Sequence, residues 1–579
     1  MGRHGVVASG HYLGARAGQL MLDRGGNAID AVVASGFALN VLEPHSCGIG
    51  GEVPILVYAA RKKKVFAVSG QGFSGTEATI AWFRQAQIDA IPGDGFLPAT
   101  VPAAFGTWAF TLMRFGTLTL KDVLEPALDY ADSGFPVYPD LHASISGLAA
   151  LFRDQWPSSA DLYVPQGCVP NVGELLRNPD WAGTLKRVVA VEKRHARHGR
   201  EAAIQAAIDF WYKGEVAERI VDFMRGTELL DATGKKNRGL LTVEDFAAWK
   251  PKLEVPLCLS YRGLDVCKCG PWTQGPVFLQ QLRLLENVDL ARLGHHSPAY
   301  IHTVVEAAKL AFADREQYYG DPDFAGVPVE KLLSKEYAEE RRQLIDPARA
   351  SLETRPGSVR SSRKKKTASG NRRAKSRLKS PTLFPGDTTH TCAIDGDGNM
   401  AAATCSGGWI PSSPVVPGLG FPMGTRGQMF NLQRGHPNCL EPRKRPRTTL
   451  TPSLVLKNGK PWMVFGTPGG DQQDQWTLQF FLNVVDFGMN LQEAVEQPTF
   501  HTLHVPSSFY PHDAVPGGVV VEGRIPETTR QELSRRGHRV QTTGDWCNGK
   551  VMAVQLDNDR RVITGAVSPR GQIGYVAGY

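Results

Sequence analysis

The stretch "SPTLFPGDTTHTCAIDGDGNM", residues 380–400, holds the boundary on which the fold turns. Ahead of its Asp387 runs "RSSRKKKTASGNRRAKSRLKS", residues 360–380, strongly basic and poor in apolar side chains. Such a composition buries too little surface to fold and predicts a solvated, mobile linker. Behind Asp387, alternating apolar and polar residues around Asp-Gly pairs predict a β-hairpin. The same "DGDGN" (395–399) resembles the opening of a Ca²⁺ loop, but Met400 stands where an EF-hand needs its sixth-place glycine. A hairpin turn is therefore expected there, and Asp387-Thr388 falls at the join between linker and strand.

A threonine hydroxyl is a weak nucleophile unless a base takes its proton, and one solution is a threonine whose own α-amine, freed by chain cleavage, is that base. Such a residue must begin a strand, and the segment ahead of it must be able to leave. Thr388 has that layout, although β-propensity alone also puts threonines at strand starts. Two other stretches bear on it. "FGTPGGDQQ" (465–473) places Gly469 and Gly470 after an expected strand, where two backbone N–H groups without side chains can approach an oxyanion. "RPRTTLTPSL" (445–454) sets Thr448 and Thr449 beside Arg445 and Arg447, a combination suited to a carboxylate. Glycine pairs also end ordinary strands, and threonine pairs populate ordinary sheets.

The 579 residues allow two to four domains or one large enzyme unit, and 42% hydrophobic with 21% charged residues is ordinary for a globular chain. The net charge of +8 invites a nucleic-acid reading, but residues 358–380 carry ten Lys and Arg and no acid; setting them aside takes the charge to −2. The basic run lacks interleaved aromatics and a recognition fold, so nucleic-acid binding is not suggested. Nine scattered cysteines predict reduced thiols and a cytoplasmic setting. No leader-like apolar segment opens the given sequence, though a truncated start would allow a periplasmic or secreted protein. No stretch of 18 apolar residues predicts a membrane span.

Residues 27–40 predict a buried, Ala-rich helix capped by Asn27, and "VPILVYAARKKKVFAVSG" (53–70) predicts two strands around a Lys-rich turn. Helical patterns dominate 105–309, and short strands with tight turns dominate beyond 388. The regions expected are 1–357, mainly helical with some strands; 358–387, the basic linker; and 388–579, strand-rich. Hairpins with interposed helices predict an α+β layered fold. "GLGFPMG" (418–424) lacks the strand and helix that frame a phosphate loop and reads as a flexible binding loop or a plain connector. His195 with His198, and His295 with His296, lack ligands at metal spacing and read as surface histidines. No metal and no cofactor is implied.

"GGNAIDAVVASGFALNVLEPHSCGIGG", "FGTLTLKDVLEPALDYADSGFPV", "EAAKLAFADREQYYGDPDF", "GDTTHTCAIDGDGNM", "RPRTTLTPS" and "GTPGGDQQ" together resemble the γ-glutamyltransferase family of N-terminal nucleophile hydrolases, from about residue 5 to the end. The resemblance implies a four-layer αββα sandwich made as one precursor that cuts itself between Asp387 and Thr388, the two chains remaining associated. It implies Thr388 as nucleophile and, through its new amine, base, with Ser406 orienting that amine and Gly469 and Gly470 as oxyanion hole. It also marks departures. Gln71 stands where the family holds the glutamyl α-carboxylate with an arginine. Asn431, three residues after Gln428, replaces the acid that meets the α-ammonium; Gly408 replaces an asparagine; Thr448 and Thr449 replace paired serines. The loop 431–444 is shorter than the lid of bacterial transferases. The expectation is an autoprocessing amidohydrolase for a γ-glutamyl-type amide such as glutathione. The alternative is an acylase for a non-amino acyl amide of glutaryl or oxamate type, and an alternative of another class is a non-catalytic binding protein using the basic run. The partner expected is a small-molecule amide.

Overall fold

A computed structural model describes residues 1–359, 388–571 and 573–579; Asp387 and the basic run from 360 onward lie outside the described residues. Two sheets face each other. The larger orders its seven strands Tyr575–Gly578, Gly5–Ser9, Thr388–Asp395, Met400–Ser406, Ile55–Ala59, Lys64–Ser69 and Lys252–Glu254. The smaller runs Val562–Val567, Met552–Asp557, Lys460–Gly466, Ser453–Lys457, Leu264–Lys268 and Leu257–Tyr261. Each sheet takes strands from both sides of the 360–387 segment.

Period-two alternation explains the layering. In the larger sheet Val6, Ala8, Leu56, Cys392, Ile394, Met400 and Ala402 pack against Leu454, Val464, Met552 and Val554 of the smaller, which makes the inter-sheet core. The alternate residues Val7, Val57, Ala393, Ala401 and Ala403 pack instead on helices, chiefly Ala28–Leu42. On the far side, Val266, Val455, Met463, Phe465 and Ala553 pack against helices Gly275–Leu285, Pro298–Tyr318 and Gln473–Val485. Helices, sheet, sheet and helices make four layers.

Local signals account for the pieces nearest Thr388. Helix Ala28–Leu42, apolar but for Asp30, Ser35 and Asn40, is buried on every face, and Asn27 and Asp30 form its capping box. Asp395 of "DGDGN" closes the hairpin, accepting from the amides of Asp397 (3.0 Å) and Asn399 (2.9 Å). Its other oxygen accepts from the Ala28 amide at 2.9 Å, tying the hairpin to that helix.

The expected connector at 418–424 contains half of a small hairpin, Val415–Val416 with Phe421–Pro422. His195 and His198 are exposed, but His295 and His296 are half-buried, and a ring nitrogen of His295 meets Asn483 Oδ1 at 2.8 Å. The cysteines also depart from expectation. Strands Leu257–Tyr261 and Leu264–Lys268 are joined at Arg262-Gly263, both at positive φ, the geometry of a type I′ turn. That turn sets Cys258 directly opposite Cys267, and the two form a disulfide. Thiol spacing in sequence carries no information on this register, so the expectation of wholly reduced thiols fails for this pair.

Between the two sheets Gly466 packs against His390. A β-carbon on Gly466 would lie 2.3 Å from the His390 ring. Gly466→Ala is therefore expected to destabilise the fold by about 1–3 kcal/mol, an overpacking cost; a thermal unfolding midpoint equal to that of the wild type would contradict it.

Candidate active site

Antiparallel register places Thr388 opposite Ser406, and an isolated bridge places Ser406 opposite Glu52. The next strand continues the row, since the Val53 amide donates to the Gly70 carbonyl at 2.9 Å. Thr388, Ser406, Glu52 and the Gly70-Gln71 pair thus lie along one end of the larger sheet. Thr388 Oγ1 donates to Ser406 Oγ at 3.2 Å, and both residues are buried. Ser406 Oγ also accepts from Arg426 Nη2 at 2.9 Å, and Arg426 forms an ion pair with Glu52. Burial pushes the Glu52 carboxyl up, against the pull of the Arg426 charge.

His390 points the same way as Thr388, two residues along the strand. A ring nitrogen, Nδ1, lies 2.9 Å from Thr404 Oγ1, and burial pushes its pKa down to about 3, so the imidazole is neutral. Beneath it Lys268 and Asp474 form a buried ion pair at 3.0 Å.

Gly469 and Gly470 follow strand Lys460–Gly466 of the facing sheet and lead into helix Gln473–Val485. Their φ values are +122° and +56°, which favour glycine. Among the described residues neither N–H has an acceptor, and both stand at a helix entrance, where anions are favoured. Gln274 Nε2 donates to the Gly470 carbonyl at 3.2 Å, and Arg315 Nη1 donates to Gln274 Oε1 at 2.9 Å. Arg315 also pairs with Asp471, which accepts from the Ser508 amide (2.8 Å) and hydroxyl (2.6 Å). Sequence reasoning missed Gln274, Arg315 and Arg426. Arg315 is one of several charged residues in the helix Pro298–Tyr318, so its sequence position carried no distinct signal.

A cavity of roughly 460 Å³ opens beside the glycine pair, walled by Phe312, Trp476, Leu503, Val505, Phe509 and Tyr510. Thr388 lines a far smaller one of about 20 Å³ that shares Pro468 and Lys550 with it.

The residues expected to bind substrate divide. Gln71 is buried, and neither end of its side-chain amide has a hydrogen-bond partner among the described residues. Such a group is costly unless a ligand or water completes it. The Thr449 hydroxyl is in the same state, whereas Thr448 Oγ1 accepts weakly from the Leu450 amide at 3.4 Å. Gln428 is engaged structurally: its Nε2 donates to Thr425 and to the Gly93 carbonyl, and its Oε1 accepts from the Tyr510 amide. Asn431 Oδ1 accepts from the Gln433 amide at 2.6 Å and so holds its own loop. Gly408 has φ +58°, and a β-carbon there would sit 2.7 Å from the Gly51 nitrogen, which rules out an asparagine without a backbone shift. Arg445 and Arg447, read from sequence as suited to a carboxylate, already have carboxylates within the protein. Arg445 pairs with Asp321 (2.7 Å) and Glu254 (2.6 Å), and Arg447 with Glu316 (2.8 Å).

Outside this region His302, Glu306 and His538 bring three possible ligand atoms together. The ring nitrogens His302 Nδ1 and His538 Nε2 lie 2.8 Å apart, and Glu306 is paired with Lys309 (2.6 Å) and Arg355 (3.1 Å). These contacts account for the cluster.

The family profile described as Gamma-glutamyltranspeptidase matches residues 14–578. The Glutathione hydrolase-like YwrD proenzyme of Bacillus subtilis (strain 168) is 33% identical over 575 residues, covering 99% of this chain and 98% of that one. The solved structure of LmbA2991HD is 44% identical with a TM-score of 0.92, over 100% of this chain and 98% of that one. The crystal structure of cephalosporin acylase from Bacillus halodurans is 31% identical with a TM-score of 0.84, over 100% and 96%.

Proposed function

For a chain that belongs to the gamma-glutamyltranspeptidase family, with the αββα sandwich of the N-terminal nucleophile hydrolases and the activity class of an autoprocessed amidohydrolase or transferase, we propose an acylase-type reaction at Thr388 on an amide whose acyl group lacks a free α-amino group. In the precursor Thr388 Oγ1 attacks the Asp387 carbonyl. The amide nitrogen leaves as the α-amine of Thr388, and water cleaves the resulting ester to give chains 1–387 and 388–579. In the cut enzyme that amine takes the Thr388 proton as Oγ1 attacks the substrate carbonyl. The oxygen charge that develops lies against the N–H groups of Gly469 and Gly470. The amine product departs with the proton, leaving an acyl-threonine ester that water resolves.

The neutral acyl side of the site carries the substrate reading. A γ-glutamyl group presents a carboxylate and an ammonium, and recognition of both needs opposite charges. Here position 71 is a buried neutral amide, Asn431 is turned to its own loop, and Arg445 and Arg447 are held by protein carboxylates. A glutaryl or oxamate-type acyl group leaves no ammonium to neutralise, and the Gln71 amide N–H groups can donate to its acceptor oxygens. The aromatic cavity suits a bulky amine portion, in keeping with a relative named cephalosporin acylase. The second reading, glutathione hydrolysis, is favoured by the name of the Bacillus subtilis relative.

A panel of glutaryl, oxamyl and γ-glutamyl anilides separates the two. The glutaryl amide is expected to exceed the γ-glutamyl amide in kcat/KM by about 10-fold or more, the worth of one unpaired buried polar group. A preference for γ-glutamyl of that size would replace the acylase reading with the glutathione one.

A further inference from the structure

Arg426 is a buried cation close to Thr388 that neither attacks the amide nor carries its proton. It lies in the turn Arg426–Met429, 2% exposed, beside the neighbouring rings of Trp409 and Phe509, whose centroids are 5.7 and 5.8 Å away. Its Nη2 donates to Ser406 Oγ at 2.9 Å, and its charge is balanced by Glu52, itself 2% exposed. Glu52 is no distant counter-ion. Its backbone N–H and carbonyl exchange hydrogen bonds with Ser406 at 2.9 and 3.1 Å, so one backbone pairing fixes both the hydroxyl and the carboxylate that Arg426 spans.

We infer that Arg426 is a positioning residue that acts through Ser406: it fills one lone pair of Ser406 Oγ permanently and so makes the Ser406 hydroxyl a directed donor to Thr388. A guanidinium keeps its proton at any working pH, so that lone pair always faces a donor. A hydroxyl that accepts from a cation is in return a stronger donor. In the resting arrangement Thr388 Oγ1 donates to Ser406 Oγ. When Thr388 gives its proton to the α-amine, the Ser406 O–H can turn to the Thr388 oxygen as negative charge gathers on it. The bond that forms is Thr388 Oγ1 to the substrate carbonyl carbon; Ser406 keeps its proton throughout. Glu52 holds the guanidinium at one end and spares the site an unbalanced buried charge. The role rests on Thr388 being the nucleophile.

The test is a cycle of R426Q, S406A and the double variant, with R426K alongside, each measured per molecule cleaved before Thr388. R426Q is expected to lower kcat by roughly 10- to 100-fold, the worth of one charge-assisted hydrogen bond. KM should hold, because the role assigned to Arg426 runs through Ser406 and not through substrate binding. On the S406A background the same change should cost almost nothing further, and R426K should recover part of the loss. Equal losses with and without Ser406, or a KM effect at unchanged kcat, would overturn the proposal. If R426Q does not fold, R426K against S406A is read in the same way. A chain in which Thr388→Ala still splits and turns over would instead remove the nucleophile reading itself, an outcome distinct from failure of Arg426 alone.

Discussion

Thr388→Ala is expected to leave the precursor whole and to abolish turnover, with kcat reduced by roughly 10⁴- to 10⁶-fold, the range for loss of a nucleophile. Intact mass should show the wild type as chains 1–387 and 388–579 and the variant as one chain of 579 residues. The size of the effect follows from the setting of Thr388. It is the first residue of its strand, 3% exposed, with its hydroxyl on Ser406. The competing base on the same face is His390, but its Nδ1 is engaged by Thr404, and burial, which pushes its pKa down to about 3, makes the ring a poor proton acceptor. A general base at His390 would predict that His390→Gln matches Thr388→Ala in kcat; the α-amine reading predicts that His390→Gln, once split, keeps most of its kcat. Thr388→Ser keeps the hydroxyl and should split and turn over. A wild-type protein recovered as a single chain would favour the non-catalytic reading of the basic run.

What the sequence discloses here is mostly local chemistry. Asn27 three residues ahead of Asp30, and the Asp-Gly turn at 395–398, announce a helix start and a hairpin because each signal lies within one turn of the chain. The alternation in residues 388–406 fixes which side chains share a face, and so places Thr388 and His390 together. The strand that starts at Thr388 was legible for the same reason, and the roles proposed for Ser406, Gly469 and Gly470 come from the resemblance. What stayed hidden depends on register between remote strands. Glu52 meets Ser406 across 354 residues of sequence, Gly466 meets His390 across the sheet gap, and Cys258 meets Cys267 through a turn whose handedness no cysteine spacing encodes. Arg426 is the instructive miss. It stands two residues before Gln428 in "GLGFPMGTRGQMF", a charged residue in a glycine-rich apolar run, and that isolation was its one signal. The resemblance drew attention to Gln428 and Asn431 instead, whose side chains brace loops.

Gly470→Ala is expected to lower kcat by about 10²- to 10³-fold with little change in KM, the cost of losing one oxyanion donor. At φ +56° an alanine is strained by roughly 1–2 kcal/mol, and its β-carbon would lie 2.9 Å from the Phe509 ring edge. The ring can shift at a small cost, so the protein should fold, but the relaxing backbone turns the Gly470 N–H away from the developing charge. At Gly469 the β-carbon would fall 2.2 Å from the Trp476 ring, and Trp476 is packed against Gly549 as well; Gly469→Ala should therefore lose stability along with activity. Strain alone is controlled by Gly488→Ala, where φ is +68° and no atom lies within 4 Å of the added carbon. That variant should lose a similar increment of stability and keep kcat. If Gly470→Ala instead raises KM at unchanged kcat, the glycine pair is a wall of the substrate cavity, and the charge on the substrate oxygen is met elsewhere. The precursor offers a second reading of the same variant. Splitting before Thr388 and turnover of an amide both build negative charge on a carbonyl oxygen attacked by one hydroxyl, so a hole shared by the two reactions would slow both in Gly470→Ala. Normal splitting with crippled turnover would mean that the chain uses one set of donors to cut itself and another, at Gly469-Gly470, to cut its substrate.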